Sequence, residues 1–272
     1  MRPLEVGDLL DETFRMYRRH FILFGGISVI LSIPSAAFFG LALASLSSVM
    51  QQTNGQLTDF SFLTPLLAGL AAGLLINLLF LPFSLGAVTY AACESALGRP
   101  VTAGGVLSGV LRRYFPLLGY WLLFVVMLYL SLALCILPVA LWAWVFVGWV
   151  VVTPAMFVEN ISLGAAFSRS WWLVQGRWWR TFLVLLLIGI IWYVAGIALG
   201  AFLELGRFLL QLFVSPFIAI AISAVTSQMV AAVVNPILQI AVVLVYFDLR
   251  VRKEGLDLFQ MANNLAAPQA TS

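Results

Sequence analysis

The stretch SLGAAFSRSWWLVQGRWWRTF, residues 162–182, joins a short amphipathic segment directly to a long apolar one. It contains three arginines and four tryptophans, and both side chains combine an apolar body with a polar end. Residues of this kind are typical of the boundary between water and lipid. The stretch therefore predicts a helix that lies at a membrane surface and is followed at once by a helix that enters the membrane.

Composition places the whole chain in the membrane-protein class. Of its 272 residues, 63% are hydrophobic and 9% are charged, whereas a soluble domain has about 45–50% apolar and about 25% charged residues. Cys93 and Cys135 lie in or beside apolar runs, which predicts small core side chains rather than a disulfide framework or a metal cluster. We expect one membrane domain over residues 1–260 and a disordered tail over 261–272.

Six apolar stretches are long enough to cross a membrane, which takes about 20 helical residues. They cover residues 21–48 and 64–93, two spans within 114–158, residues 178–202, and one span within 209–247. Pro138 marks the predicted turn between the third and fourth spans, because proline is favoured in the first turn of a helix. Within 209–247 a second span would barely fit. One tilted or broken span is predicted there, with an outer-surface helix near Pro216.

Short amphipathic segments precede the spans at three places. The first covers residues 4–19 and has an Asp11–Arg15 pair one helical turn apart. The second and third begin at the predicted N-caps Thr102 and Ser162, and Gly176 is the predicted stop of the third. The predicted apolar faces consist of Val6, Leu9, Leu10, Thr13, Phe14 and Tyr17, then Val106, Leu107, Val110 and Leu111, then Leu163, Phe167, Trp171 and Val174.

These three helices are expected to lie in the membrane surface, with their apolar faces in the headgroup region. Two alternatives remain open for all of them: they cover the cytoplasmic end of the helix bundle, or they dock a partner. For the first helix, packing on a soluble neighbour is a further alternative. The predicted fold is therefore all-α, with six transmembrane helices and three interfacial amphipathic helices.

The basic residues predict the topology. Thirteen of the 14 lysines and arginines fall before the first span, between spans two and three, between spans four and five, or after span six. Arg207 alone falls on the other side, where it is expected to pair with Glu204. Because basic loops stay in the cytoplasm, six spans with both termini cytoplasmic are predicted for a multi-pass protein of the plasma membrane.

A threefold internal repeat is suggested by similar junctions. The segments are MYRRHFILFGG (16–26), VLRRYFPLLGY (110–120) and LVQGRWWRTFLVL (173–185), and an acidic residue, Glu94, Glu159 or Asp248, ends each second span. Each repeat would consist of a surface helix and two spans, arranged around an axis normal to the membrane. The alternative is that the composition of membrane edges alone produces the likeness.

Two sets of polar residues are candidate functional residues. Arginines near the membrane surface attract anionic lipid headgroups, and the candidates are Arg18, Arg19, Arg112, Arg113, Arg169, Arg177 and Arg180. Amides inside spans either form interhelical hydrogen bonds or hold a neutral solute, and the candidates are Asn77, Gln228, Asn235 and Gln239.

Several chemistries are not expected. The one histidine, His20, allows no Ser-His-Asp or Cys-His arrangement, and the sequence has no phosphate-binding glycine loop or paired-cysteine motif. Ionisable residues lie at span ends rather than near span centres, which disfavours ion-coupled transport. We therefore predict no catalytic residues, no metal and no cofactor.

Three segments resemble a known family. They are RPLEVGDLLDETFRMYRRHF (2–21), FVENISLGAAFSRSWWLVQGRWWRTF (157–182) and YFDLRVRKEGLDLF (246–259). They are similar to the glycerophosphoryl diester phosphodiesterase membrane-domain family of prokaryotes. The resemblance implies a multi-spanning domain that is sometimes joined to a phosphodiesterase barrel. This sequence has no such barrel, so we do not expect the enzymatic activity, and the family implies no catalytic residues.

The leading hypothesis is a non-enzymatic protein of the prokaryotic inner membrane that organises lipid, or a membrane or cytoplasmic protein partner, through its basic cytoplasmic helices. Nucleic acid is not an expected partner. The second hypothesis is a transporter or channel for a neutral or lipid-like solute, held by the intramembrane amides. An intramembrane enzyme that uses Glu94 or Glu159 is the third.

Overall fold

A computed structural model describes residues 5–52, 63–133 and 136–255, and these contain helices and no strand. The ten helices are α1 (Val6–Arg19), α2 (Phe21–Gln52), α3 (Leu63–Ala96), α4 (Ala103–Arg112), α5 (Tyr114–Ala133), α6 (Ile136–Trp149), α7 (Val152–Val158), α8 (Leu163–Val174), α9 (Trp178–Leu210) and α10 (Pro216–Glu254). The predicted all-α class is thus confirmed for the described part of the chain.

Five segments are long and apolar enough to cross a membrane. They are Phe21–Phe38, Leu78–Ala96, Leu141–Val158, Trp178–Leu210 and Ile218–Glu254. A sixth is obtained when α4 and α5, which meet at a bend of 67°, are taken as one broken span. The structure thus supports a membrane protein with five or six spans, and the number six stays a prediction.

The last helix, α10, occupies the centre of the bundle. It packs against α1, α2, α3, α7, α8 and α9, and every residue of 240–249 is buried. At 1.5 Å per residue its 39 residues extend about 58 Å, which exceeds the hydrocarbon thickness of about 30 Å. The helix is therefore longer than one straight crossing of the apolar layer requires.

The prediction for residues 209–247 was wrong in one respect. No separate outer-surface helix forms near Pro216: α10 runs unbroken from Pro216 to Glu254, and residues 209–210 belong to the end of α9. Pro216 stands at the first position of the helix, where the missing N–H of proline costs nothing. It therefore starts α10 and does not interrupt it.

The predicted boundaries of α4 and α8 are confirmed at Thr102, Ser162 and Gly176. The Thr102 hydroxyl accepts a hydrogen bond from the Gly105 N–H at 3.2 Å, and the Ser162 hydroxyl accepts one from Ala165 at 3.5 Å. Gly176 follows α8 with φ +85°, a conformation that glycine adopts without steric cost. Side-chain capping and glycine thus fix these boundaries.

The apolar faces of the short helices pack on the bundle itself. On α1 the buried residues are Leu9, Thr13, Met16 and Tyr17, on α4 they are Val106 and Val110, and on α8 they are Ala166, Ser170, Leu173 and Val174. Tyr17 also donates a hydrogen bond from its hydroxyl to the Val233 carbonyl of α10. The alternative in which these helices cover one end of the bundle is therefore the one that the packing supports.

Two predicted faces need correction. On α4 the predicted face is split, because Leu107 and Leu111 are exposed. On α8 only Val174 of the four predicted residues is buried: the buried face consists of Ala166, Ser170, Leu173 and Val174, while Leu163, Phe167 and Trp171 are half-buried.

Two predicted ion pairs have different outcomes. Arg15 pairs with Glu12, one residue further along than the predicted Asp11. The Glu204–Arg207 pair is confirmed, with 2.7 Å between Oε2 and Nε.

The first and third units follow the predicted order of one short helix and two long ones, whereas in the second unit α4 is followed by α5, α6 and the short α7. The repeat itself stays a prediction. Pro138 lies in the first turn of α6, as predicted. Residues 134–135, the polar segment 53–61 and the tail 261–272 lie outside the described residues.

Candidate functional site

A network of ion pairs joins α8 to α10 at the basic end of the bundle. The Arg169 Nε donates to both Glu159 carboxylate oxygens, at 2.9 and 2.8 Å, and its Nη2 donates to Glu254. Arg250 donates from Nε to the other Glu254 oxygen at 2.8 Å, and the Tyr246 hydroxyl donates to Glu159 at 2.8 Å. These five residues form one cluster that connects α8, α10 and Glu159 at the end of α7.

A second cluster joins α9 to α10 around Asp248, whose side chain is 0% exposed. Arg180 donates from Nη1 to the Asp248 Oδ2 at 2.5 Å, and Arg252 donates from Nε to Oδ1 at 2.9 Å. A buried carboxylate is tolerated only when its charge is matched and its oxygens are hydrogen-bonded. We call the Glu159 and Asp248 clusters together the basic-end network.

Further cations in the same region hold backbone carbonyls. The Lys253 ammonium donates to the carbonyls of Trp172 and Gln175 at the end of α8, and it lies 4.5 Å from the centroid of the Trp172 ring. Arg177 donates to the Arg252 carbonyl at 3.4 Å. Cations are favourable at helix C-termini, where carbonyls lack partners. Lys253 and Arg177 therefore connect α8 and the start of α9 to the end of α10.

The chemistry of the basic-end network is that of a structural clamp. Each oxygen of the Glu159, Asp248 and Glu254 carboxylates accepts a hydrogen bond from an arginine or from Tyr246. Burial alone would lower the pKa of the Arg169 guanidinium, but its hydrogen bonds to Glu254 and Glu159 outweigh burial, so this pKa is raised. The ion pairs of the network therefore hold three helices together.

The seven predicted headgroup-contacting arginines divide into two groups. Arg169, Arg177 and Arg180 belong to or adjoin the basic-end network, and Arg113 donates to the Ile161 carbonyl at 2.7 Å and to the Asn160 side chain. The remaining three, Arg18, Arg19 and Arg112, have exposed side chains. The second group is therefore the better placed to contact lipid headgroups.

These exposed arginines stand beside exposed apolar side chains. Ile22 is 87% exposed next to Arg18 and Arg19, and Phe115 is 80% exposed next to Arg112. At the third junction Trp179, which is 72% exposed, follows Arg177. The first two junctions thus present exposed arginines together with an exposed apolar side chain, whereas Arg177 at the third junction is half-buried and donates to the Arg252 carbonyl.

Three of the four predicted intramembrane amides lie around one polar cavity. Gln228, Asn235 and Gln239 line a space of about 60 Å³ together with serines of α2 and α3. Asn235 accepts a hydrogen bond from the Trp192 indole of α9 at 3.1 Å, and Gln239 accepts one from the Thr89 hydroxyl of α3 at 3.2 Å. The side chain of Asn77 lies outside what the structure describes.

A larger, mostly apolar cavity of about 390 Å³ lies on the other side of Gln239. Its walls come from α3, α5, α6, α7, α9 and α10, and Leu85 and Gln239 line both cavities. The Thr89–Gln239 hydrogen bond therefore lies where a small polar space meets a larger apolar one.

Sequence reasoning missed several residues of this region. Glu254 and Tyr246 each lie four residues from Arg250 along α10, a helical spacing that could have indicated their pairing. Ser170 donates to the Gly148 carbonyl at 2.8 Å. No local pattern indicates this contact, because the two residues belong to different helices.

Comparisons of the chain with protein-family models, with curated proteins and with solved structures found no match. The resemblance to the glycerophosphoryl diester phosphodiesterase membrane-domain family therefore stays a prediction, and so does the absence of that family's activity from this chain. The geometry of the basic end and of the cavities is the basis for the proposals that follow.

Proposed function

We propose that this protein is a non-enzymatic platform of a prokaryotic plasma membrane, whose basic end gathers anionic lipid and presents a charged surface to a membrane or cytoplasmic protein partner. One observation carries the proposal: at two of the three junctions between a short and a long helix, exposed arginines are followed within a few residues by an exposed, large apolar side chain. The termini would lie in the cytoplasm, as positive-inside topology requires.

The physical reason is that the two kinds of side chain act together at an interface. An aromatic or aliphatic side chain enters the headgroup region, while a neighbouring arginine meets lipid phosphates. Each basic group near an anionic surface contributes about 1 kcal/mol. The exposed arginines lie on α1 and α4, whose buried faces pack on the bundle, and this packing holds them in place.

The test compares lipid association in reconstituted membranes. We expect the protein to bind spin-labelled phosphatidylglycerol more strongly than spin-labelled phosphatidylcholine, measured as the motionally restricted fraction by electron paramagnetic resonance. The double variant Arg18→Gln, Arg112→Gln is expected to lower this preference severalfold. The matched control is Arg207→Gln, which removes one arginine at the far end of α9 and is expected to change the preference little. Equal effects of the two variants would contradict the proposal.

A second candidate function is a transporter or channel for a neutral or lipid-like solute. The observation that favours it is the meeting of a polar and an apolar cavity at Gln239 within the bundle. A solute with a polar head and an apolar body would find partners on both sides of this residue. A Gln239→Leu variant that lost uptake of such a solute into proteoliposomes, with an unchanged melting temperature, would favour this candidate over the platform.

A further inference from the structure

A cavity of about 360 Å³ lies between α1, the end of α3 and α10. Its apolar wall includes Met16, Leu244 and Phe247, and its rim includes Arg15 and Arg19. This volume lies within the range of about 300–1,000 Å³ that small-molecule pockets occupy. The cavity is separate from the two cavities that meet at Gln239, since it shares no lining residue with either.

The charges around this cavity favour an anion. Two carboxylates line it, and both already have arginine partners: Glu12 pairs with Arg15, and Asp248 pairs with Arg180 and Arg252. Arg180 and Arg252 do not line the cavity but balance the Asp248 charge, and Arg15 balances Glu12, so Arg19 adds one positive charge to the lining. A phosphate group at the rim would therefore be attracted, because opposite charges interact strongly where protein excludes part of the solvent.

The position of the cavity indicates where its occupant comes from. The rim residues Arg19 and His20 end α1, and the exposed residues Phe21 and Ile22 begin α2 directly after them. This junction is therefore the level at which the chain passes from the interface into the apolar layer. Lipid headgroups stand at the same level, with their acyl chains directed inward.

We propose that this cavity is a specific site for one anionic phospholipid of the surrounding membrane. Its phosphate would lie at Arg15 and Arg19, and the first part of one acyl chain would pack on Met16, Leu244 and Phe247. The inference deepens the proposed function, on which it rests for the class of lipid. The cavity proposal predicts one lipid molecule bound at a defined place, whereas the platform proposal predicts many loosely associated lipids.

The experiment counts bound lipids by native mass spectrometry of the detergent-solubilised full chain, titrated with dioleoylphosphatidylglycerol or dioleoylphosphatidylcholine. We expect one phosphatidylglycerol to bind before any further lipid, and phosphatidylcholine to bind at least about fivefold more weakly, since the cation Arg19 contributes about 1 kcal/mol. Arg19→Gln is expected to weaken this first binding about fivefold, the equivalent of one such cation. Ala96→Leu, which narrows the cavity, is expected to weaken it further.

Two controls keep the outcome specific. Gly189→Leu narrows the other large cavity, and Arg207→Gln removes an arginine that does not line this one; neither should change the first binding step. Arg19→Gln alters an exposed side chain, so its result stands even if Ala96→Leu impairs folding, which near-ultraviolet circular dichroism would reveal. Equal binding of both lipids, or a first binding step unchanged by Arg19→Gln, would overturn the site. The platform proposal would survive that result if the Arg18, Arg112 variant still lost its lipid preference.

Discussion

The guanidinium of Arg180, in the first turn of α9, donates to the buried carboxylate of Asp248 near the end of α10, with 2.5 Å between Nη1 and Oδ2. The two residues are far apart in the sequence, and Asp248 also accepts from Arg252. This contact fixes the start of one apolar helix to the charged end of the central one. The basic end is therefore held together by charge pairs as well as by packing.

Removing the carboxylate should destabilise the whole bundle. Asp248→Asn leaves Arg180 and Arg252 without their counter-charge, and we expect it to lower the free energy of unfolding by about 3 kcal/mol. The measurement is equilibrium unfolding in mixed micelles, followed by circular dichroism. Glu204→Gln is the matched control, because Glu204 is 60% exposed and pairs with Arg207 at the far end of α9. Its expected cost is below about 1 kcal/mol, and equal losses would contradict the assigned role of Asp248.

Gly148 allows the closest approach between α6 and α8. A Cβ atom at this position would lie 2.4 Å from two ring atoms of Trp171, so Gly148→Ala should cost about 1–3 kcal/mol of stability through overpacking. Gly189→Ala is the control: a Cβ there meets nothing within 4 Å, and alanine is the better helix former by about 1 kcal/mol. The melting temperature should be highest for Gly189→Ala, intermediate for the unchanged protein and lowest for Gly148→Ala. Combining Gly148→Ala with Trp171→Leu should recover part of the loss, and no recovery would count against the contact.

These contacts show which parts of the fold a sequence can predict. The ends of α4 and α8 follow from Thr102, Ser162 and Gly176, because capping depends on residues a few positions apart. The buried face of α8 does not follow from hydrophobicity alone, since Ala166 and Ser170 are buried while Phe167 and Trp171 are half-buried. The same limit applies to the arginines: side-chain chemistry places them at an interface, but only tertiary contacts separate the paired Arg169 and Arg180 from the exposed Arg18 and Arg112.

The central position of α10 was also beyond sequence reasoning. From the sequence alone, the amides and prolines of this segment suggested a tilted or broken span. In the structure Pro216 starts the helix, and Asn235 and Gln239 have hydrogen-bond partners on neighbouring helices. A helix that is surrounded by six others can hold polar side chains because its neighbours satisfy them.

The Trp192–Asn235 hydrogen bond should contribute modestly to stability. Interhelical hydrogen bonds in membranes average about 0.6 kcal/mol and reach about 1.7 kcal/mol, so we expect a coupling energy in this range from a double-mutant cycle of Trp192→Phe and Asn235→Leu. Unfolding in mixed micelles provides the measurement. A coupling energy of zero would indicate that the indole and the amide do not interact in the folded protein.

In the proposed topology the basic segments share one face of the membrane. Single-cysteine accessibility measures the side on which each segment is exposed. With Cys93 and Cys135 replaced by alanine, a cysteine would be introduced at Ser108 on α4, Ser168 on α8 or Ser215 between α9 and α10, all three being exposed positions. An impermeant maleimide applied to intact cells and to inverted vesicles would report the side of each. We expect Ser108→Cys and Ser168→Cys to react only in inverted vesicles, and Ser215→Cys to react only in intact cells. Labelling of Ser108→Cys and Ser168→Cys from opposite faces would contradict the proposed topology.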